Sequence, residues 1–166
     1  MLRAHFDAVW RVGRHMGLHP GQAEENAQEA YAVAARKLSS IEPGRERAYL
    51  LGVAARLAIN TRRLASQRIE RATTTDQVEL LTNSSVPDEL LARKQGRELL
   101  ETLLLSLSED FRQVITLYEI EELTLAEIAV ALGIPVGTAT SRLRRAREEF
   151  SKKLAQHAKR AHRGEL

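Results

Sequence analysis

The sequence predicts an all-α protein of two small helical domains joined by a flexible linker, the C-terminal one containing a helix-turn-helix. Apolar residues recur at helical spacing along almost the whole chain, with no alternating apolar and polar run closed by Asn-Gly or Asp-Gly turns. Between residues 70 and 86 that pattern gives way to Thr, Ser, Asn, Asp and Gln around an isolated Leu80-Leu81, the composition of a linker. Proline, glycine and capping residues punctuate the remainder at helix-length intervals.

Taken in order, a first helix is expected over about 2–17, with Phe6, Val9, Trp10, Gly13 and Met16 along one side, before Pro20-Gly21 interrupts the chain. A second, about 22–38, turns the alanine-heavy stripe Ala23, Ala27, Ala30, Tyr31, Ala34 and Leu38 inward, which lets a neighbouring helix approach closely. After Pro43-Gly44 a third, about 45–68, buries Tyr49, Leu50, Val53, Leu57 and Leu64 and carries Arg47, Arg56, Arg62 and Arg63 elsewhere. These three form one bundle, residues 1–69. Beyond the linker, Pro87-Asp88 restarts a helix to about Leu105, and Ser108-Glu109-Asp110 starts another to about Glu119 with Phe111, Val114, Ile115 and Tyr118 inward. The second domain covers 87–157, and 158–166 read as a basic tail.

The last two helices carry the clearest signal. Thr124-Leu125-Ala126-Glu127 fits a capping box, in which threonine and glutamate satisfy each other's backbone donors. The short helix so started buries Leu125, Ile128, Ala129 and Leu132, and Gly133 sits where a left-handed residue reverses the chain before Ile134 and Pro135. In the next helix Val136, Ala139, Leu143, Ala146 and Phe150 recur at steps of 3, 4, 3 and 4, leaving Thr138, Ser141, Arg142 and Arg145 on the opposite face. That face can enter a major groove, where arginine pairs with guanine and serine serves several bases. Arg144 and Arg147 flank it, and Lys152, Lys153, Lys159, Arg160 and Arg163 add charge for salt-sensitive phosphate contact. A solvated basic face on an ordinary helix is the plain alternative, but it leaves the cap, the glycine turn and the basic face unrelated to one another.

Composition narrows the remaining classes. The 166 residues are 43% hydrophobic and 28% charged, enough of each for a packed core, and the net charge of +3 is concentrated towards the C-terminus. Absence of cysteine excludes disulfides and thiolate metal sites. No signal-peptide core is visible in residues 1–21, and no later stretch approaches the roughly 20 apolar residues of a bilayer span, so a cytoplasmic protein is expected.

Residues 123–147, with Gly137-Thr138, Ser141-Arg142-Leu143 and Arg145-Ala146-Arg147, closely resemble region 4 of the extracytoplasmic-function (ECF) sigma factors of the sigma-70 family. The first domain resembles region 2 of that family. Residues 22–29 are similar to its acidic, glutamine-containing segment, and 47–60 to its promoter-melting helix. The resemblance implies a dissociable initiation subunit without catalytic site or cofactor. Such a subunit binds bacterial core RNA polymerase, contacts the −35 element with region 4, opens the −10 element with region 2, and is restrained by an anti-sigma protein. Carried over by position, Ser141, Arg144 and Arg145 contact −35 bases, with Thr138, Thr140 and Arg142 nearby. Glu24, Glu25, Gln28 and Glu29 meet the clamp helices of the β′ subunit, while region 4 also docks on the β flap. The loop 39–45, with Arg56, Asn60, Arg62 and Arg63, captures the displaced strand of the −10 element. Departures fall mainly in region 2: Ala34 and Tyr49 stand where the family commonly has tryptophan, Ala55-Arg56 replaces an Arg-Asn pair, and Asn60 replaces an aspartate. In region 4, Thr140 replaces a commonly basic residue.

Two other classes share parts of this evidence. A helix-turn-helix repressor or activator predicts a dimer on a palindrome but not the two region 2 segments together. An all-α metalloenzyme would rest on His15 and His19 with His5, but His19 falls at or past the helix end and no carboxylate is spaced to complete a ligand set. These histidines, with His157 and His162, read as solvated.

Overall fold

The structure is a computed structural model describing residues 5–71 and 88–163. The expected helix start at Leu2, most of the expected linker and the end of the basic tail lie outside those residues.

Helices α1 (Phe6–His15), α2 (Pro20–Lys37) and α3 (Glu46–Arg71) pack against one another as the expected first bundle. Pro20 opens α2, and the Gln22 side chain reaches back to accept the His19 N–H at 3.1 Å, satisfying a donor the helix cannot. Ala23, Ala27, Ala30 and Ala34 are fully buried, and their small side chains bring α1 and α3 close on either side. Asn26 donates across the gap to the Ala54 carbonyl at 3.2 Å, while Val9, Val12, Met16, Leu50 and Leu51 supply the bulk of the filling. Two expected core residues lie outside. Leu38 is 47% exposed because a 3-10 turn, Leu38–Ser40, follows α2 and breaks its period. Leu64 is 58% exposed on the C-terminal part of α3, beyond the buried run that ends at Ile59. Helix α3 itself continues to Arg71, into the stretch expected to be linker.

In the second half, α4 (Asp88–Leu105) leads to α5 (Glu109–Ile115), capped by Ser108, whose hydroxyl accepts the Phe111 N–H. A wide π turn, Thr116–Ile120, and a left-handed Glu122 (φ 55°) carry the chain to α6 (Leu125–Leu132) and α7 (Val136–His162). Helix α7 is one continuous element of 27 residues, about 40 Å long, so the expected tail is helical through His162. Arg112 is buried and donates to the carbonyls of Leu104, Leu105 and Leu107, closing the end of α4, and to Met16 of the first domain. Burial pulls its guanidinium pKa down from the ordinary value. The two halves meet chiefly where α3 lies against α6. Among the described residues no helix is long and apolar enough to cross a membrane.

Candidate nucleic-acid interface

The helix-turn-helix is built as its residues require. Thr124 Oγ1 accepts the Glu127 N–H at 3.3 Å, and Glu127 Oε2 accepts the Thr124 N–H at 2.8 Å and its hydroxyl at 2.7 Å. Those bonds, backbone first, hold the Glu127 carboxyl below its usual pKa. Gly133 adopts φ 67°, and the reversal is closed by Gly133 N–H to Val130 O and Ile134 N–H to Ala129 O at 3.3 and 2.9 Å. Ile128, Ala129, Ala139, Leu143 and Ala146 fill the angle between α6 and α7. Val136, expected inside, is 49% exposed at the first position of α7.

On the outer face of α7, Thr140, Ser141, Arg144 and Arg145 are exposed, and Thr138 is half-buried. The hydroxyls of Thr140 and Ser141 donate to the helix carbonyls of Val136 and Thr138, which parks them at the surface. The arginines differ in what already holds them. Arg142 pairs with Asp110 of α5 at 2.8 Å, Arg144 with Glu148 at 2.6 Å, and Arg147 with Glu119 at 2.6 Å while lying 5.1 Å from the Tyr118 ring centre. Arg145 has no carboxylate partner among the described residues. Lys152, Lys159, Arg160 and Arg163 continue exposed along α7, and Lys153 reaches Glu149.

The first domain presents two charged surfaces, one acidic and one basic. Glu24, Glu25, Gln28 and Glu29 are all exposed on α2, on the side away from its buried alanines. On α3, Arg56 and Asn60 are exposed one turn apart, with Arg63 the next residue along that ridge, held by Glu109 of α5. Arg62 turns away from it and donates to the Met16 carbonyl at 3.1 Å. The loop between α2 and α3 borders a cleft of about 750 Å³ between His5 and Leu38, Ser39, Ile41 and Gly44, with Arg47 at its edge. Tyr49, half-buried, lines a second hollow where Glu127 and Val130 of α6 face the same loop.

Sequence reasoning did not find Glu121, whose side chain is entirely buried between Arg11 (2.8 Å) and Arg47 (3.2 Å). Nothing in a Glu-Glu pair before a cap distinguishes the glutamate that turns in from the one that turns out. His15 also departs from expectation: it is buried, with Nδ1 lacking a partner. Burial first, and then Arg11 and Arg14, lower its pKa to about 4. Among the described residues no group of three or more His, Cys, Asp or Glu is placed to hold a metal ion.

Residues 97–150 match the family model described as sigma-70, region 4. The chain is 32% identical over 145 residues to the ECF RNA polymerase sigma-E factor of Escherichia coli strain K12, covering 81% of this chain and 74% of that protein. It is 28% identical over 159 residues to the ECF RNA polymerase sigma factor SigE of Mycolicibacterium smegmatis, covering 95% of this chain and 62% of the relative's length. Its fold is similar to the sigma factor RpoE of Bartonella quintana, solved in complex with the anti-sigma factor NepR, with a TM-score of 0.69, 20% identity, and coverage of 93% of this chain and 94% of that one.

Proposed function

The chain belongs to the ECF sigma factors, and from that premise we propose that it binds core RNA polymerase in the cytoplasm, recognises −35 and −10 promoter elements and initiates transcription, with no catalytic step of its own. The observation that carries this reading is the division of surfaces between the two domains. The second domain presents the exposed Ser141 and Arg145 on a capped helix-turn-helix, a face suited to base edges in the major groove. The first presents a basic ridge, Arg56, Asn60 and Arg63, beside a loop-lined cleft, a combination suited to a displaced strand whose bases leave the stack.

The remaining assignments follow the same division. Glu24, Glu25, Gln28 and Glu29 dock on the β′ clamp helices, an acidic face meeting a basic partner. The second domain also docks on the β flap, and an anti-sigma protein restrains the chain. Thr138 and Thr140 lie beside the base-reading pair, and Arg142 reaches DNA only by leaving Asp110. Arg62, spent on the Met16 carbonyl, supports the ridge from behind.

The test is reconstitution with bacterial core RNA polymerase and transcription from a genomic DNA library. A co-eluting complex and promoter-specific transcripts are expected. Neither appearing with a competent core enzyme, together with a dimer on a palindromic site, would replace this reading with that of a conventional repressor.

A further inference from the structure

Helix α7 outlasts the domain it belongs to. Its last buried residue is Ala146, yet it runs on to His162, and the chain carries no carboxylate between Glu149 and Glu165. In the described part of that extension only Lys153 and His157 are half-buried, so packing does not demand its length. Counted on from the base-reading pair, Ser141, Arg145, Lys152, Lys159 and Arg163 follow one another at steps of 4, 7, 7 and 4. At 3.6 residues per turn those steps keep all five within about 40° of a single line along the helix. All five are exposed.

A second observation, independent of that register, sorts the cations of α7. Off the line, Arg142 is held by Asp110, Arg144 by Glu148, Arg147 by Glu119 and Lys153 by Glu149. On the line, Arg145, Lys152, Lys159 and Arg163 have no carboxylate partner among the described residues. Among those residues Arg160 is the one unpaired cation off the line, and it lies in the final turn, where the helix dipole favours a cation whatever the partner. The dipole does not account for Lys152, about two turns earlier.

The span of the line sets what it meets. From Ser141 to Arg163 is about 33 Å along the axis, close to the roughly 34–36 Å over which B-DNA turns once. The major groove winds round the duplex over that distance, so a straight helix that enters it also leaves it. Cations beyond the base readers then pass over the bordering phosphates. We propose that Lys152, Lys159 and Arg163 form a phosphate track on the duplex flanking the −35 element, outside the bases met by Ser141 and Arg145. The track is blind to sequence: it lengthens the contact and adds affinity that salt weakens. It rests on the −35 reading for the place where α7 enters the groove.

The test uses the full chain and a −35 duplex selected with it from random-sequence DNA. The duplex is made in two lengths, the element alone and the element with about 10 bp of arbitrary sequence at each end. The parent should bind the long duplex more tightly. That gain should shrink roughly 40-fold between about 50 and 200 mM salt, the dependence expected of three phosphate contacts. A triple variant, Lys152→Gln with Lys159→Gln and Arg163→Gln, should lose the gain and keep its preference for the selected element over a scrambled one. Glutamine forms helix about as well as lysine and arginine, so its circular dichroism should match the parent's. Arg145→Ala should do the reverse, losing the preference and keeping the gain. Lys153→Gln with Arg160→Gln removes cations off the line and should leave most of the gain; a loss equal to that of the triple variant would mean diffuse charge and overturn the track. Equal affinity of the parent for the two lengths would also overturn it, and would leave the line to an acidic protein surface. Selection that enriches no element would instead strike the −35 reading, and the track with it.

Discussion

Replacing Arg145 with alanine tests the base-reading face most directly, because the structure separates it from its neighbours. Arg142, Arg144 and Arg147 each hold a carboxylate at 2.6 to 2.8 Å, whereas Arg145 holds none among the described residues. To reach a base, a paired arginine must first give up an exposed ion pair worth roughly 0.2–1 kcal/mol. Arg145 gives up nothing, so its full contact, about 1–3 kcal/mol for a good bidentate pair with guanine, appears in affinity. Arg145→Ala should therefore weaken binding to the cognate −35 duplex by roughly 5- to 150-fold at 25 °C. Arg144→Ala should cost less, by up to roughly 1 kcal/mol. Since Arg145 is exposed and unpartnered, thermal stability should stay within about 0.5 kcal/mol of the parent. The assay is a titration of the full chain against cognate and scrambled duplexes at one salt concentration, repeated across salt. Equal losses on both duplexes, with the salt slope reduced by about 1, would show that Arg145 touches only phosphate and refute the assignment. A larger loss for Arg144 than for Arg145 would refute the argument that prior ion pairing ranks these residues.

Three further outcomes are expected. Thr124→Ala removes the cap of α6 and should cost about 0.5–2 kcal/mol in urea unfolding at neutral pH. Because the depressed Glu127 carboxyl contributes stability above its unfolded pKa of 4.5 and loses it as pH falls through the folded value, the gap between parent and variant should narrow in acid. Below pH 6.5 the unfolded chain protonates His15 while the folded chain resists until about 4, so stability should fall on acidification through that window, by up to about 1.4 kcal/mol per pH unit. His15→Leu should flatten that segment of the curve, and an unchanged slope would assign it to other groups. Glu25→Lys should weaken binding to core polymerase while leaving the chain's affinity for −35 DNA unaltered; equal polymerase affinity would reduce the acidic face to a surface feature of α2.

The elements and the helix-turn-helix were legible in the chain because they depend on local rules. A capping box, a glycine in the left-handed region and a 3.6-residue apolar period act over a few residues, and Thr124, Gly133 and Leu143 sit where those rules put them. The same rules misplaced Leu38, Leu64 and Val136, each at a position where the period runs past the neighbour that would cover it. Surface chemistry was legible by position alone: the exposure of Glu25, Ser141 and Arg145 agrees with their places on helical faces. What the sequence by itself determined is thus the order and polarity of seven helices, including which faces are greasy, acidic and basic. Only the tertiary structure decided which charges meet. Arg47 and Glu121 lie 74 residues apart, and their pairing depends on the crossing of α3 and α6 at Gly52 and Ala131, a close approach of the Gly52 backbone to Ala131 that leaves no periodic trace in either helix.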